Sequence, residues 1–336
     1  MTPQFHPYLI NGPFDDPGLY IDFLFERRAI LFDLGDLSQL PPRKLLRISH
    51  IFVSHTHVDH FIGFDQLVRV CLGREKRLHL YGPEGFVEQV GHRLAAYTWN
   101  LVQNYPTDFT IAAFELHRDG GAHRAEFHCR EGFRREGDRS FAVIDGVLLN
   151  EEDFLVRTAF LDHKVTSLAF CLEEKSHVNI MKNRLEERGL SVGAWLGELK
   201  RAILRGDGDE TPVRAWWREQ GEACERFIPL GLLKEEVLRV VPGQKIAYVT
   251  DALYSPANAA RIVELAHGAD YLFIEATFLD DEAERACERC HLTARQAGFL
   301  ARLAGAVRVI PFHFSPKYAG EGARIERELE EVFNER

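Results

Sequence analysis

The chain has 336 residues, 46% of them hydrophobic, which is typical of a folded protein with a sizeable core and excludes a disordered chain. Its formal charge of −10 argues against broad, non-specific binding of nucleic acid, because such binding depends on an excess of Lys and Arg. Its 6 cysteines are too few for a disulfide scaffold. The sequence shows neither a signal-peptide pattern nor an apolar run of membrane-spanning length, so we expect a cytoplasmic protein without membrane contact.

The first half of the chain alternates short apolar runs with turns, which predicts strands. A hairpin is expected where GLYIDFLFE and RAILFDLG flank a polar turn at residues 26–28. The run ISHIFVSHTH predicts a third strand, and GFDQLVRVCLG has the apolar spacing of a helix. The segment RLHLYGPEGFVEQVGHRLAAYTW predicts a strand, a turn and a second helix. Further strands are expected at TDFTIAAFEL, AEFHCREGF, SFAVIDGVLL, FLVRTAFLDH and SLAFCLEE.

Residues 176–242 interrupt this pattern, because they are rich in charge and glycine, and they predict an inserted arm, helical or extended. The alternation then resumes with strands at KIAYVTDA, YLFIEATF and VRVIPFHFS, separated by helices at PANAARIVELAHG and TARQAGFLARLAG. The segment GEGARIERELEEVF predicts a final amphipathic helix. Strands in both halves, with helices between them, predict an α/β fold in which helices cover two sheets. We expect this αββα sandwich to form a single domain over residues 1–336, with the arm inserted in it.

Four potential metal ligands occupy six positions directly after the third predicted strand: His55, His57, Asp59 and His60. Alternate residues of an extended segment share a face, so His55 and His57 can reach the same ion. Asp59 and His60 lie where the chain turns towards a helix and can face a second ion. Imidazole and carboxylate ligands suit zinc, and also manganese or iron. This density of ligands favours a metal site over a polar loop with accidental histidines.

Three further candidates, His163, Asp251 and His313, each lie at the end of a predicted strand. Each of them alone is of a residue type that is common in loops. Together, in this order and at strand ends, they fit a site gathered at one rim of a sandwich. The sequence therefore predicts ligands for more than one cation.

The motif H-x-H-x-D-H resembles the signature of the metallo-β-lactamase superfamily. The segments LDHKVTSLAFCLEE, YVTDALYSPANAARIVELAHGADYLFIEATF, CHLTARQAGFLARLAG and PFHFSPKY resemble successive motifs of ribonuclease Z, the endonuclease that trims the 3′ end of precursor tRNA. The resemblance covers most of residues 49–175 and 243–319. It implies a metallo-β-lactamase fold, a precursor tRNA substrate and a homodimer.

The resemblance also implies roles for individual residues. Two zinc ions are expected, one held by His55, His57 and His163, the other by Asp59, His60 and His313, with Asp251 between them. Asp59 would also accept a proton from the attacking water. In the family a Glu orients a His that contacts phosphate or protonates the leaving oxygen, and the matching residues here are Glu275 and His291.

Two further features have weaker sequence support. Asp33, in ILFDLG, matches either a carboxylate that supports the metal ligands in the superfamily or a simple turn residue. Within the arm, Lys200, Arg201 and Arg205 occupy the place of the family's tRNA-binding segment and are candidates for phosphate contact.

Two alternative functions follow from the same residues. One is a hydrolase of the same fold that acts on a small phosphodiester or another ester. The other is a catalytically idle RNA-binding or scaffolding protein, against which the complete set of seven candidate ligands argues.

Overall fold

The computed structural model describes residues 3–219 and 222–335. The strands are β1 Phe5–Leu9, β2 Leu19–Phe23, β3 Ala29–Phe32, β4 Ile48–Phe52, β5 Lys76–Pro83, β6 Phe109–Leu116, β7 Gly121–His128, β8 Arg135–Ala142, β9 Val147–Asn150, β10 Phe154–His163, β11 Val165–Glu174, β12 His177–Ile180, β13 Pro212–Glu219, β14 Glu222–Pro229, β15 Leu238–Val241, β16 Lys245–Val249, β17 Tyr271–Glu275 and β18 Val309–Phe312.

The α-helices lie between these strands and after the last one. They are α1 Pro42–Leu45, α2 Val58–Phe61, α3 Phe64–Cys71, α4 Phe86–Ala95, α5 Lys182–Glu187, α6 Trp195–Leu204, α7 Leu230–Glu236, α8 Pro256–Ala266, α9 Ala283–Arg289, α10 Ala294–Leu303 and α11 Gly322–Phe333. Short 3-10 helices occur at Val102–Asn104, Cys129–Glu131, Asp280–Glu282 and Pro316–Tyr318.

Within the described ranges, the strands form two large sheets and two small ones. The first sheet has the order β1-β2-β3-β4-β5-β6-β7-β8, with parallel pairing from β3 to β6 and antiparallel pairing at both edges. The second sheet has the order β18-β17-β16-β11-β10-β9, and β16, β17 and β18 are parallel. The small sheets pair β12 with β15 and β13 with β14.

The chain divides into two compact units. Residues 4–148, 156–172 and 245–335 form the unit that we call the sandwich unit, and residues 149–155 and 173–244 belong to the inserted unit. The predicted arm at 176–242 lies within the inserted unit, while the assignment of residues 1–336 to one domain stays a prediction. The inserted unit has its own core, in which Trp195, Leu199 and Trp217 are buried.

Aromatic side chains fill the space between the two large sheets. Phe32 of β3 and Phe52 of β4 pack against Phe170 of β11, and Phe32 also contacts Tyr248 of β16, with ring centroids 5.4–5.8 Å apart. Because side chains alternate along a strand, the neighbours of these residues point to the outer faces of the sheets.

Helices cover both outer faces of the sandwich. Leu31 and Ile51 of the first sheet lie in one buried cluster with residues of α3 and α4. Ala247 and Leu272 of the second sheet lie in another cluster with residues of α8, α10 and α11. This arrangement confirms the predicted αββα sandwich.

Most of the predicted elements are confirmed, including the β2–β3 hairpin, the helix after the histidine cluster and the final amphipathic helix. The prediction of one strand at SFAVIDGVLL was wrong, because the chain turns at Asp145 and Gly146, which have φ values of 51° and 68°. An Asp-Gly pair favours such a turn. Its two sides belong to β8 and β9, at the edges of different sheets.

Candidate metal centre

The histidine cluster lies on the loop that joins β4 to α2. His57 is the residue before the first turn of α2, with extended backbone angles, and His60 lies within that helix. The rings of His55 and His57 are 4.3 Å apart, and those of His55 and His60 are also 4.3 Å apart. His55 and His60 are buried, whereas His57 is exposed. The loop after β4 and the first turn of α2 thus bring these three imidazoles together.

The three distant candidates, His163, Asp251 and His313, lie beside the histidine cluster. His163 is the last residue of β10, and Asp251 and His313 follow the ends of β16 and β18. Asp251 and His313 have φ values of 44° and 59°, a left-handed conformation that is costly for residues other than glycine. The surrounding structure holds this conformation, which turns both side chains towards the histidine cluster.

One group of possible ligands consists of His55, His57, His163 and Asp251, whose ligand atoms all lie within 4.8 Å of one another. Oδ2 of Asp251 is 3.1 Å from Nε2 of His163 and 3.6 Å from Nε2 of His55. These three side chains are buried.

A second group consists of Asp59, His60 and His313. Nε2 of His60 lies 3.4 Å from both Oδ2 of Asp59 and Oδ1 of Asp251. Nε2 of His313 is 3.3 Å from Oδ2 of Asp59, and its Nδ1 is 3.3 Å from Oδ1 of Asp251. The two carboxylate oxygens of Asp251 therefore face different groups.

Three buried imidazole nitrogens in this centre have no hydrogen-bond partner among the described residues: Nε2 of His55, Nε2 of His60 and Nδ1 of His313. Unpaired buried polar atoms are rare in proteins and need a physical reason. Imidazole nitrogen and carboxylate oxygen atoms that converge in this way are a suitable donor set for zinc or a similar divalent cation. The residues present therefore fit metal binding.

The charges around each histidine differ. Burial, and after it the neighbouring His60, lowers the pKa of His55 to about 2, so that His55 is neutral. Burial alone would lower the pKa of His313, but Asp251 and Asp59 raise it to about 10. Without a cation, protons on such histidines balance the buried carboxylates, and a bound metal replaces those protons.

Asp33 contacts the histidine cluster and helps to hold His60 in place. The carboxylate of Asp33 is fully buried. Its Oδ2 lies 2.9 Å from Nδ1 of His60, and its Oδ1 accepts a hydrogen bond of 2.6 Å from the backbone N–H of Ser54. Of the two interpretations of Asp33, the geometry favours support of a candidate metal ligand. Sequence reasoning missed two partners of Asp33, the hydroxyl groups of Ser54 and Tyr248, each 2.9 Å from Oδ2.

His291 and Glu275 lie beside the centre and contact each other. Nδ1 of His291 is 2.7 Å from Oε2 of Glu275, and the ring of His291 lies 4.9 Å from that of His163. Glu275 is fully buried and also accepts hydrogen bonds from the hydroxyl group of Thr277 and the N–H of Ala252, at 2.6 and 2.7 Å.

The pKa values of this pair move apart. Burial opposes ionisation of both side chains, but the charge of Glu275 and its hydrogen bond raise the pKa of His291 above its usual range. Burial would raise the pKa of Glu275. The charge of His291 and its hydrogen bond outweigh burial and lower this pKa to about 2. The pair therefore holds a proton on His291 beside the candidate metal ligands.

The predicted phosphate-contacting residues lie in the inserted unit. Lys200 and Arg201 are in α6, and Arg205 follows its last residue. Arg201 forms an ion pair of 2.7 Å with Glu198, and Arg205 forms one of 2.8 Å with Asp207. Acidic neighbours thus partly neutralise the charges of Arg201 and Arg205, two of the three residues predicted to contact phosphate.

Comparison with known proteins gives consistent matches. The β-lactamase superfamily domain model matches residues 235–314. A ribonuclease Z of Deinococcus radiodurans is 30% identical over 292 residues, which are 86% of this chain and 83% of that protein. A ribonuclease Z of Methanothermobacter thermautotrophicus is 29% identical over 295 residues, or 86% of this chain and 78% of that protein.

Solved structures share the fold at lower identity. The metallo-β-lactamase fold protein YhfI of Bacillus subtilis is 16% identical, with a TM-score of 0.55 over 98% of this chain and 92% of that one. The short form of human tRNase Z is 18% identical, with a TM-score of 0.51 over 94% of this chain and 93% of that one. No helix in the described ranges has both the length and the apolar character required to cross a membrane.

Proposed function

Because the chain belongs to the ribonuclease Z family, we infer that it is a metal-dependent endoribonuclease that removes the 3′ trailer from precursor tRNA. The match at 30% identity over 86% of the chain carries this conclusion, because likeness in fold alone would not identify a substrate. The geometry of the candidate metal centre supports the chemistry, since Asp251 faces both groups of possible ligands.

Seven residues are proposed to hold two zinc ions. His55, His57 and His163 would bind one ion, Asp59, His60 and His313 would bind the other, and the two oxygens of Asp251 would serve both. Manganese or iron is compatible with the same nitrogen and oxygen ligands. When bound, the two cations supply the positive charge that lowers the pKa of a water molecule and neutralises the phosphodiester.

Two side chains are proposed to move protons. The carboxylate of Asp59 is partly exposed, and the nearby imidazoles of His313 and His60, which outweigh the effect of burial, hold its pKa well below the usual range. Asp59 is therefore ionised, and it accepts the proton of the attacking water. His291, held by Glu275, donates its proton to the leaving oxygen. The water oxygen bonds to phosphorus as the bond to the 3′ oxygen breaks, which leaves a 3′-hydroxyl on the tRNA and a 5′-phosphate on the trailer.

The remaining proposals rest on the family and on the sequence. Lys200, Arg201 and Arg205 are proposed to contact tRNA phosphates. We also propose that the protein is a homodimer of the cytoplasm.

A paired assay tests this function. The metal-loaded protein would be given a precursor tRNA with a 3′ trailer and, separately, bis(p-nitrophenyl) phosphate, with Asp59→Ala as the control. Cleavage at the trailer junction that depends on Asp59 is the expected result. Hydrolysis of the small diester with the tRNA left intact would instead favour a small-molecule phosphodiesterase. If Asp59→Ala kept both activities, the proposed site would be wrong.

A further inference from the structure

Asn258 lies in the first turn of α8, seven residues after the candidate ligand Asp251. It is fully buried, whereas most asparagines in proteins are exposed. Asparagine often caps the start of a helix, but here Ser255 does so, since its side chain accepts a hydrogen bond of 3.2 Å from the backbone N–H of Asn258. The side-chain amide of Asn258 is therefore not required to begin the helix.

The amide of Asn258 instead joins two segments that are distant in sequence. Its Nδ2 donates hydrogen bonds to the backbone oxygens of Asp162 and Leu253, at 3.0 and 2.8 Å. Its Oδ1 accepts a hydrogen bond of 3.1 Å from the backbone N–H of Asp162. The N–H of Leu253 also donates to the backbone oxygen of Asp162, at 2.9 Å. One buried amide thus uses both its hydrogens and its oxygen to hold these segments together.

Both segments carry candidate metal ligands. Asp162 precedes His163 at the end of β10, and Leu253 lies two residues after Asp251, which follows β16. In the second sheet β11 lies between β10 and β16, and strands separated by one neighbour are about 10 Å apart. The contact of 3.1 Å between His163 and Asp251 therefore depends on how the chain is held beyond the ends of these strands.

We propose that Asn258 is a positioning residue that sets the separation of His163 and Asp251. It acts through the backbone of Asp162 and Leu253. Metal ligands must be held in place by their supporting contacts, so loss of these hydrogen bonds would first weaken the cation that His163 is proposed to bind. This inference rests on the proposed function, and it adds a residue outside the seven proposed ligands.

The main test is Asn258→Asp in the full-length, zinc-loaded protein. Aspartate has nearly the same size and keeps an acceptor, but its carboxylate cannot donate to the two backbone oxygens. We expect one of the two cations to be bound about tenfold more weakly and the other to be unchanged. The measurement is a stepwise titration of the zinc-loaded protein with a chromogenic chelator, in which His163→Ala identifies the affected step.

Asn11 provides a matched control. Its Nδ2 also donates to two backbone oxygens, those of Asp16 and Asp36, each at 2.9 Å. Neither of these residues adjoins a candidate ligand in the sequence. Asn11→Asp removes hydrogen bonds of the same kind, and it should leave both steps of the chelator titration unchanged.

A second variant separates positioning from a general effect on folding. Asn258→Ala removes all three hydrogen bonds without placing a charge beside the backbone oxygens, and it should weaken the same cation. Thermal unfolding in the presence of chelator measures the stability of each metal-free variant. A change in stability alone would weaken both cations in equal proportion, whereas the positioning role predicts a loss in one step.

The outcomes separate failure of this inference from failure of the proposed function. If the unsubstituted protein binds two cations but does not cleave precursor tRNA, the proposed substrate is wrong and the titration still tests Asn258. If it does not bind two cations, the proposed metal centre is wrong and this inference fails with it. If Asn258→Asp and Asn258→Ala keep both affinities, lose both equally or do not fold, the positioning role of Asn258 is wrong.

Discussion

The hydroxyl group of Tyr248 donates a hydrogen bond of 2.9 Å to Oδ2 of Asp33, the same oxygen that lies 2.9 Å from Nδ1 of His60. Tyr248 belongs to β16 of the second sheet, whereas Asp33 follows β3 of the first. Burial and the neighbouring Asp33 raise the pKa of Tyr248 well above its usual range, so the phenol stays protonated and remains a donor. The buried hydrogen bond between Tyr248 and Asp33 thus joins the two sheets next to His60, a candidate metal ligand.

Removing this hydroxyl group should weaken metal binding. In Tyr248→Phe, Asp33 loses a donor and holds the ring of His60 less firmly, so we expect metal affinity to fall roughly tenfold, as for other partners of metal ligands. The measurement is competition with a metal chelator, followed by metal analysis. Tyr20→Phe is a matched control, because Tyr20 is also buried and donates a hydrogen bond of 3.1 Å, but to the backbone oxygen of Lys44. Equal metal affinity in the two variants would contradict the role of Tyr248.

Replacing Glu275 should shift the pH dependence of cleavage. The charge of Glu275 raises the pKa of His291, so the protonated form persists above the usual pH range of histidine. In Glu275→Gln this charge is absent and the pKa of His291 falls. Because the rate needs the protonated form, the decline of kcat at high pH should begin at lower pH than in the unsubstituted protein. The measurement is kcat against pH for cleavage of precursor tRNA, in which the leaving 3′ oxygen needs the proton.

A second buried glutamate provides the control for this experiment. Glu174 lies 2.7 Å from Nδ1 of His177 in the inserted unit, and both residues are buried. Glu174→Gln removes a carboxylate from a similar histidine pair, but it should leave the high-pH decline of kcat in place. A profile for Glu275→Gln that coincides with the unsubstituted one would exclude His291 as the proton donor.

Two glycines in helices should respond in opposite ways to substitution by alanine. In Gly298→Ala of α10, the new Cβ atom would lie 2.4 Å from the carbonyl oxygen of Leu329 in α11, so we expect a loss of about 1–3 kcal/mol in unfolding free energy. Gly197 of α6 has open space at that position, and Gly197→Ala should stabilise its helix by about 0.5–1 kcal/mol. Thermal unfolding would detect both changes. A stabilised Gly298→Ala would contradict the close approach of α10 and α11.

The sequence predicts the candidate metal centre well where spacing is local. His55, His57, Asp59 and His60 are recognisable because four ligands in six positions are rare outside metal sites. His163, Asp251 and His313 are recognisable because each follows an apolar run that forms a strand. Parallel strands in one sheet end at one rim, so a strand-end position already limits where a side chain can lie.

Contacts between distant segments are not visible in the sequence. Tyr248 and Asp33 are 215 residues apart, and no local pattern marks their pairing. The hydroxyl of Ser54 and the carbonyl oxygen of Cys290, which lies 2.7 Å from Nδ1 of His163, were missed for the same reason. Strands β13 and β14 of the inserted unit were missed because they are rich in charged residues, whereas apolar alternation is the usual signal of a strand.

The position of Asp251 predicts how metal is lost from the centre. Its Oδ2 lies near His55 and His163, and its Oδ1 lies near His60 and His313, all at 3.1–3.6 Å. If the carboxylate serves two cations, Asp251→Ala should lower the metal content of both groups, whereas His163→Ala should reduce it mainly in one.

Elemental analysis of the purified, dialysed variants measures this directly. We expect less metal in Asp251→Ala than in His163→Ala, and a normal content in His128→Ala, where the substituted histidine pairs with Asp108 outside the centre. The unpaired nitrogens of His55, His60 and His313 also imply that a chelator should lower the melting temperature of the unsubstituted protein, since bound metal stabilises the folded state. Asp251→Ala should show a smaller effect of the chelator, because it has less metal to lose. Equal metal contents in Asp251→Ala and His163→Ala would contradict a shared position for Asp251 and would confine it to one cation.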